Sequence, residues 1–193
     1  LLRDAQAPAA ANAERLYDAA EGGQPIVFCE PSCLSAVGED APALLRGEAR
    51  RKAQAVARAS VLFEEYVASL GAVLPLAAGP SRVLLHGHCH QRSMGLVPPA
   101  KTLLSRIPGV TVTDAEAGCC GMAGSFGYGR DHYEVSKAIG ERRLFPAVRA
   151  QGDGAVVVAG GTSCRHQIHD FTGVEAVHPA VLLRSLLLER SGS

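Results

Sequence analysis

The feature that most constrains this sequence is a set of four short apolar runs, each followed by a turn or loop and then by cysteine. The runs cover residues 25–29, 82–88, 110–113 and 155–159. Runs this short suit buried parallel strands better than helices. Helical patterns separate them, and this alternation favours an α/β fold in which a parallel sheet is flanked by helices.

Helical patterns fill much of the remaining chain. We predict helical segments over residues 4–20, 44–70, 132–150 and 179–190, where apolar residues recur at helical spacing. Residues 38–42, which begin with glycine and end with proline, are predicted to break the helical pattern.

Composition argues against several classes of partner and location. Nineteen basic residues balance nineteen acidic ones, and tryptophan is absent, so we expect no nucleic-acid partner. No apolar run approaches the roughly 20 residues that cross a bilayer, and no signal-peptide pattern opens the chain. We expect a cytoplasmic protein, with a peripheral position at the inner face of the membrane as the alternative. The chain starts without methionine, so we expect a piece of a longer protein.

Six cysteines without a secretion signal favour reduced, metal-binding thiols over a disulfide framework. Cys89, the adjacent pair Cys119 and Cys120, and Cys164 follow three different predicted strands. Ligands gather beyond the carboxyl ends of parallel strands, so we expect these four thiols to converge. Adjacent cysteines fit an iron–sulfur cluster more easily than one zinc ion, because two irons can each take a neighbouring sulfur. We therefore predict a metal or cluster site.

Glycines and histidines beside the four cysteines are predicted to support the site. Gly121 and Gly161 let the backbone approach a cluster closely and point N–H groups at sulfur. His88 and His90 are predicted to hydrogen-bond ligand sulfur or to orient the ligands. On a strand, the alternate spacing of His86, His88 and His90 would place all three on one face. A three-histidine zinc site therefore stays open as an alternative.

One layout occurs twice in the sequence. Residues 26–33 and 156–164 each contain an apolar strand, a turn and a Ser-Cys pair that opens a helix. The second copy has upstream cysteines, whereas the first has none within this chain. We therefore predict the end of a first repeat, with a helical connection, over residues 1–80. A complete second repeat is predicted over residues 81–193, packed with the first as one unit.

The two remaining cysteines belong to the first copy. Cys33 follows its turn and is a candidate ligand of a second site. Cys29 is predicted to lie inside the strand as a small buried hydrophobic residue.

These motifs resemble the cysteine-rich CCG domain family. That family occurs in the iron–sulfur subunit of glycolate oxidase and in heterodisulfide reductase. Its pattern is one cysteine, then Cys-Cys-Gly, then Cys-x-x-Cys, usually present twice. The second copy of the pattern is matched by Cys89, residues 119–121 and Cys164, and the end of the first copy is matched by Cys33.

Three longer stretches are similar to one branch of this family. Residues 87–91, 118–128 and 161–168 resemble the C-terminal region of FAD-linked oxidases. Those proteins are D-2-hydroxyacid dehydrogenases of the D-lactate or D-2-hydroxyglutarate type. The resemblance implies an electron-transfer region with a [4Fe–4S] cluster, or zinc as the alternative, and FAD on a domain outside this chain.

The same resemblance implies the partners and the ligand count. Flavin and ferredoxin-like domains of the full-length protein would supply electrons, and a quinone or redox protein would accept them. We expect no turnover of a 2-hydroxyacid by this chain alone. Glu30 and Gly161 stand where the family has the first cysteine of Cys-x-x-Cys, so we expect four cysteine ligands instead of five. A zinc-binding structural or interaction module and a dithiol redox domain using Cys119 and Cys120 are the alternatives.

Overall fold

The computed structural model describes residues 2–152 and 154–188. The chain divides into two compact units, Leu1–Tyr66 and Val67–Ser193. Each unit contains a parallel sheet and helices, which confirms the predicted α/β class. The strands form two separate sheets, one of two strands and one of three. Among the described residues, no helix is both long enough and apolar enough to cross a membrane.

The first unit contains the two-stranded sheet. Strand β1, Ile26–Phe28, pairs in parallel with β2, Ser60–Leu62, and Ile26 lies opposite Ser60. A π-helical turn, Ala36–Asp40, joins the second and third helices. The helices are α1 Leu2–Glu21, α2 Pro31–Ser35, α3 Ala41–Leu44, α4 Gly47–Ala59 and α5 Phe63–Ser69.

One sequence prediction for this unit is wrong. The helical path continues through residues 38–42, because a wide π turn accommodates Gly38 and because Pro42 falls in the first turn of α3. Proline loses no hydrogen bond in that position. The one or two helices predicted over residues 44–70 are two, α4 and α5. The unpredicted strand β2 separates them, where Ser60 takes an extended conformation and pairs with β1. Tertiary pairing overrides the local helical preference there.

Small side chains form the core of the first unit. Ala13 of α1 and Ala53 of α4 are buried together with Ala41 and Leu45. Because alanine side chains are short, α1 and α4 can approach closely along this line.

The second unit contains the three-stranded sheet, with strand order β4-β3-β5 and parallel pairing throughout. The strands are β3 Arg82–His86, β4 Thr111–Asp114 and β5 Ala155–Ala159. Two 3₁₀ turns, Phe126–Tyr128 and Arg130–His132, follow β4. The helices are α6 Cys89–Ser93, α7 Val97–Leu104, α8 Tyr133–Glu141, α9 Leu144–Arg149, α10 Thr162–Thr172 and α11 Pro179–Leu186.

The single helix predicted over residues 132–150 is two helices, α8 and α9, with a break at Arg142 and Arg143. Pro146 explains the break, since in a continuous helix it would lack an N–H and its ring would clash with the carbonyl of Arg142. Phe145 then turns inward and is fully buried. A Cβ atom at Gly140 would lie 2.1 Å from the Phe145 ring, so this glycine gives the ring its space.

Candidate metal centre

The four cysteines predicted as ligands come together beyond the carboxyl edge of the three-stranded sheet. Cys89 begins α6, just after β3, and Cys164 lies in the first turn of α10, just after β5. Cys119 and Cys120 lie in the loop that follows β4. Their thiols lie close enough to shift one another's pKa values, in the order Cys89, Cys119, Cys120, Cys164. All six cysteines lie within the described residues, and none of them is in a disulfide.

The four thiols differ in burial and in charge. Cys120 and Cys164 are buried, whereas Cys89 and Cys119 are partly exposed. Hydrogen bonds from Cys120 and Cys89 lower the pKa of Cys119 to about 2. The bond from Cys120, followed by the nearby His86, holds the pKa of Cys164 well below its ordinary value of 9.0. The same neighbours, together with burial, raise the pKa values of Cys89 and Cys120.

Cys120 lies between the two thiols whose pKa values are lowered, and it affects both of them. The backbone N–H of Gly121 also donates to Cys119, at 3.3 Å from Sγ. Cys164 benefits from its place in the first turn of α10, because the helix dipole stabilises a thiolate there.

Arg92 fixes the loop that leads to the Cys-Cys pair. Its Nε donates to the carbonyl of Ala117 at 3.0 Å, and its guanidinium forms an ion pair with Asp114 at the end of β4. The same Asp114 carboxylate accepts the N–H of Glu116 at 2.8 Å. Sequence reasoning missed Arg92, although its position three residues after Cys89 places both on adjacent turns of α6.

Gln167 and Ser136 fix the other end of the pair. Gln167 is only 2% exposed, and its Nε2 donates to the Cys120 carbonyl at 3.0 Å and to the Ser136 hydroxyl at 2.9 Å. Ser136 in turn donates to the carbonyl of Gly121 at 2.8 Å. Sequence reasoning missed both residues, and the only available signal was the spacing of Gln167 three residues after Cys164 on α10.

Gly121 is required by its backbone and by its surroundings. Its φ is +100°, and a Cβ atom would lie 2.1 Å from the carbonyl oxygen of Ser136. Any other residue would therefore strain the loop immediately after the Cys-Cys pair.

The prediction that three histidines share one strand face is wrong, because β3 ends at His86. His88 instead caps α6. Its Nδ1 accepts the N–H of His90 at 3.1 Å, and its own N–H donates to the Gln91 side chain at 3.3 Å. This capping box starts the helix and ends the strand. Because Nδ1 is an acceptor, neutral His88 carries its proton on Nε2.

Gly161 packs directly against the ring of His88, which is 5% exposed. A Cβ atom at this position would lie 2.3 Å from His88 Cδ2 and 3.2 Å from Cys164 Sγ. A fifth thiol at residue 161 would therefore have no room while His88 keeps its position. His90 lies farther out and is partly exposed, with its ring centroid 5.3 Å from that of His88.

His86 differs from the other two histidines in a way that no sequence pattern indicated. Its side chain is fully buried at the end of the central strand, and neither ring nitrogen has a hydrogen-bond partner among the described residues. The ring nevertheless lies close enough to Cys164 to lower the pKa of that thiol. The two side chains are therefore close to each other, although no hydrogen bond with normal geometry joins them.

Cys29 and Cys33 belong to the first unit, and both are exposed. The prediction that Cys29 is buried inside a strand is wrong, because β1 ends at Phe28 and Cys29 emerges beyond it. Cys33 lies in α2, where desolvation and the carboxylate of Glu30 raise the pKa of its thiol.

A match to a known family covers the region that carries the four clustered cysteines. Residues 83–169 match the family described as cysteine-rich domain, CCG. This region is a CCG domain. The predicted resemblance is thereby confirmed, and the CCG domain contains both the row of thiols and the residues that fix it.

Two curated relatives are dehydrogenases or dehydrogenase components. The chain is 30% identical over 165 residues to one subunit of the anaerobic glycerol-3-phosphate dehydrogenase of Escherichia coli K12, a match that covers 86% of this chain and 41% of the relative. It is 33% identical over 107 residues to D-2-hydroxyglutarate dehydrogenase of Pseudomonas putida, with 53% of this chain and 10% of that relative covered. The chain thus spans about two fifths of the length of the first relative. No solved structure matches the chain.

A cavity of about 470 Å³ opens beside Cys119 of the CCG domain. Its wall includes Arg142 and Arg143, the two residues at the break between α8 and α9, and also Glu116. The cavity gives a route from solvent to the partly exposed end of the thiol row, and two guanidinium groups lie along it.

The four thiols of the CCG domain are candidate ligands for a metal ion or an iron–sulfur cluster. Within residues 2–152 and 154–188, no three His, Cys, Asp or Glu side chains surround one point closely enough to hold a metal ion as they stand. An iron–sulfur cluster binds cysteine sulfurs through different irons, whereas zinc takes its ligands around one centre. Metal binding would replace the thiol hydrogen bonds and release the protons of Cys89 and Cys120.

Proposed function

We propose that this chain is the electron-transfer region of a flavin-linked dehydrogenase. In this proposal Cys89, Cys119, Cys120 and Cys164 bind a [4Fe–4S] cluster. The observation that carries it is the row of four thiols that three strand ends bring together. The dehydrogenase names of the two relatives support the reaction class.

The relatives also suggest the substrate chemistry. Glycerol 3-phosphate and D-2-hydroxyglutarate, from which the relatives take their names, are both secondary alcohols. Oxidation of a secondary alcohol to a ketone releases two electrons and two protons, and we propose that FAD on another domain receives them. A D-2-hydroxyacid is the substrate that we propose for the complete enzyme. Bound to the CCG domain, an iron–sulfur cluster supplies one-electron transfer.

The chain's own residues then have three tasks. Cys89, Cys119, Cys120 and Cys164 supply four thiolate ligands, for which Cys89 and Cys120 must first lose their protons. Gly121 points a backbone N–H at ligand sulfur, which favours the reduced state of a cluster. The cavity beside Cys119 gives a donor or acceptor its closest approach.

We further propose the setting of the reaction. Ferredoxin-like clusters would pass electrons to this region, and a quinone or a redox protein would take them up. We propose that the complete enzyme is cytoplasmic, with a peripheral position at the inner face of the membrane as the alternative.

Cys33 and the repeat organisation belong to the same proposal. Residues 1–80 would be the end of a first CCG-type repeat, and residues 81–193 a complete second one. Cys33 would then bind a second site together with ligands from outside this chain. The exposure of its thiol is compatible with that role.

The test is anaerobic reconstitution of the full chain with iron and sulfide. We expect one cluster per chain, seen as visible absorption, as four irons by metal analysis and as an electron paramagnetic resonance signal after reduction. Cys164→Ser should reduce cluster occupancy severely. Cys29→Ser, which removes an exposed thiol of the first unit, is the matched control and should load normally.

Two other outcomes would refute the proposal. Stoichiometric zinc with no iron would identify a structural or interaction module, and a reversible Cys119–Cys120 disulfide without metal would identify a dithiol redox domain. The isolated chain should neither bind FAD nor oxidise D-lactate or D-2-hydroxyglutarate. Either activity would contradict the assignment of hydride transfer to a separate domain.

A further inference from the structure

His86 is a fully buried histidine that the proposed ligand set does not use. It is the last residue of β3, the central strand of the three-stranded sheet, and it lies opposite Ala159 of β5. Within the described residues, both ring nitrogens lack a hydrogen-bond partner. A buried polar group without a partner reduces stability, and an apolar side chain of similar size would avoid that loss. The position therefore calls for an explanation other than packing.

Strand geometry shows which way His86 faces. Side chains two residues apart on a strand point to the same face, so His86 shares a face with Leu84. Leu84 packs in the buried cluster that also contains Cys120 and Cys164. The electrostatic effect of His86 on Cys164 agrees with this direction. The ring thus faces the buried end of the thiol row, away from the cavity beside Cys119.

His88, the next histidine along the chain, already has a structural role. His88 uses Nδ1 to cap α6, and its ring also fills the space above Gly161. His86 has no such structural task among the described contacts. Its neutral ring carries one N–H donor and one acceptor nitrogen, and Cys164 lies in the first turn of the helix that follows the neighbouring strand β5.

We propose that His86 is a positioning residue that donates a ring N–H to the Cys164 sulfur when this sulfur binds the cluster, and thereby raises the reduction potential. The inference rests on the proposed function. A hydrogen bond to ligand sulfur withdraws negative charge, and so it stabilises the reduced cluster, which carries one electron more. The buried position of His86 excludes water, which would otherwise compete for the sulfur.

The first test is a redox titration of the reconstituted full chain. His86→Leu removes the donor, and we expect the midpoint potential to shift to a more negative value. His86→Gln keeps an N–H donor and should restore much of the difference. His169→Leu changes an exposed histidine on α10, the helix that carries Cys164, and should leave the potential unchanged. Far-ultraviolet circular dichroism checks that each variant folds.

The second test needs no substitution at the site. Histidine is labelled with ¹⁵N in the wild-type chain, and pulsed electron paramagnetic resonance measures the nitrogen hyperfine coupling of the reduced cluster. We expect a weak coupling, as for a nitrogen that reaches the cluster through a hydrogen bond. We expect it to disappear in His86→Leu and, should that variant not fold, in His86→Gln, because neither variant has a labelled nitrogen at this position.

Several results would overturn the inference. They are equal potentials in wild type and His86→Leu, a strong coupling from a nitrogen bound directly to iron, and no nitrogen coupling at all. Failure of both folded His86 variants to take up a cluster would also overturn it, since His86 would then build the site instead of tuning it. Failure of the wild-type chain to bind a cluster refutes the proposed function itself, and the inference with it.

Discussion

Replacing Glu64 by glutamine should remove a pH-dependent loss of stability from the first unit. Glu64 lies in α5 and is 1% exposed, and its Oε2 has no hydrogen-bond partner among the described residues. Burial raises the pKa of this carboxyl from its ordinary value of 4.5 to about 7. The folded chain therefore holds the proton more tightly than the unfolded chain does.

The direction and the size of this pH effect on the unfolding free energy follow from the difference between the folded-state and unfolded-state pKa of Glu64. Because the folded-state pKa is the higher one, the stability linked to Glu64 is complete below about pH 4.5 and is lost as the pH rises through about 7. The difference between the two pKa values corresponds to about 3 kcal/mol of unfolding free energy. Glutamine has no proton to lose, so Glu64→Gln should not show this loss.

The assay is urea unfolding followed by far-ultraviolet circular dichroism, because the chain has no tryptophan. Between pH 5 and pH 8, the unfolding free energy of the wild type should fall by roughly 2–3 kcal/mol more than that of Glu64→Gln. Glu65→Gln changes the adjacent, partly exposed carboxylate and serves as the control. If wild type and Glu64→Gln show the same pH dependence, the argument from burial is refuted.

Three further predictions concern the CCG domain. Gly121→Ala should destabilise the chain by at least about 3 kcal/mol, because of its positive φ and the 2.1 Å approach to a backbone oxygen; the control Gly118→Ala, which meets no atom within 4 Å, should be close to neutral in urea unfolding. Gln167→Leu should cost about 1–3 kcal/mol, since it leaves the buried partners of its amide unsatisfied, and should speed cluster loss under a chelator; wild-type loss rates would contradict this. Charge reversal at Arg142 and Arg143 should slow oxidation of the reduced cluster by anionic ferricyanide at low salt but not by a neutral quinone; equal effects on both oxidants would count against access through the cavity.

The convergence of the four cysteines in the second unit was predictable from the sequence, because each cysteine or cysteine pair follows a predicted strand. Three short strand-like runs in front of cysteines were sufficient to predict that Cys89, Cys119, Cys120 and Cys164 meet, because the carboxyl ends of parallel strands share an edge. The contacts between their side chains bear out that convergence. Their role as metal ligands stays a prediction.

The errors have separate physical causes. Strand β2 has three residues and depends on pairing with β1, so no local pattern reveals it. The break before α9 was readable from Pro146, whose missing N–H forbids a continuous helix. The end of β3 was misplaced because alternating histidines imitate a strand pattern, whereas His88 folds back to cap α6.

Other residues carried no usable signal. Gln167 and Ser136 are distant in sequence, and only the folded chain shows that both hold the backbone of the Cys-Cys pair. Burial of Glu64 was hidden in the same way, because a glutamate in a helical pattern normally faces solvent.

The strand order β4-β3-β5 has a consequence for biosynthesis. The central strand is made first and the strand before Cys164 is made last, so a ribosome must release nearly the whole domain before the fourth sulfur can reach the other three. Until then one side of β3 lacks its neighbour, and such an edge is prone to aggregation. Insertion of the proposed cluster would therefore be a late event, and a stably held cluster would show that synthesis and folding of the domain are complete.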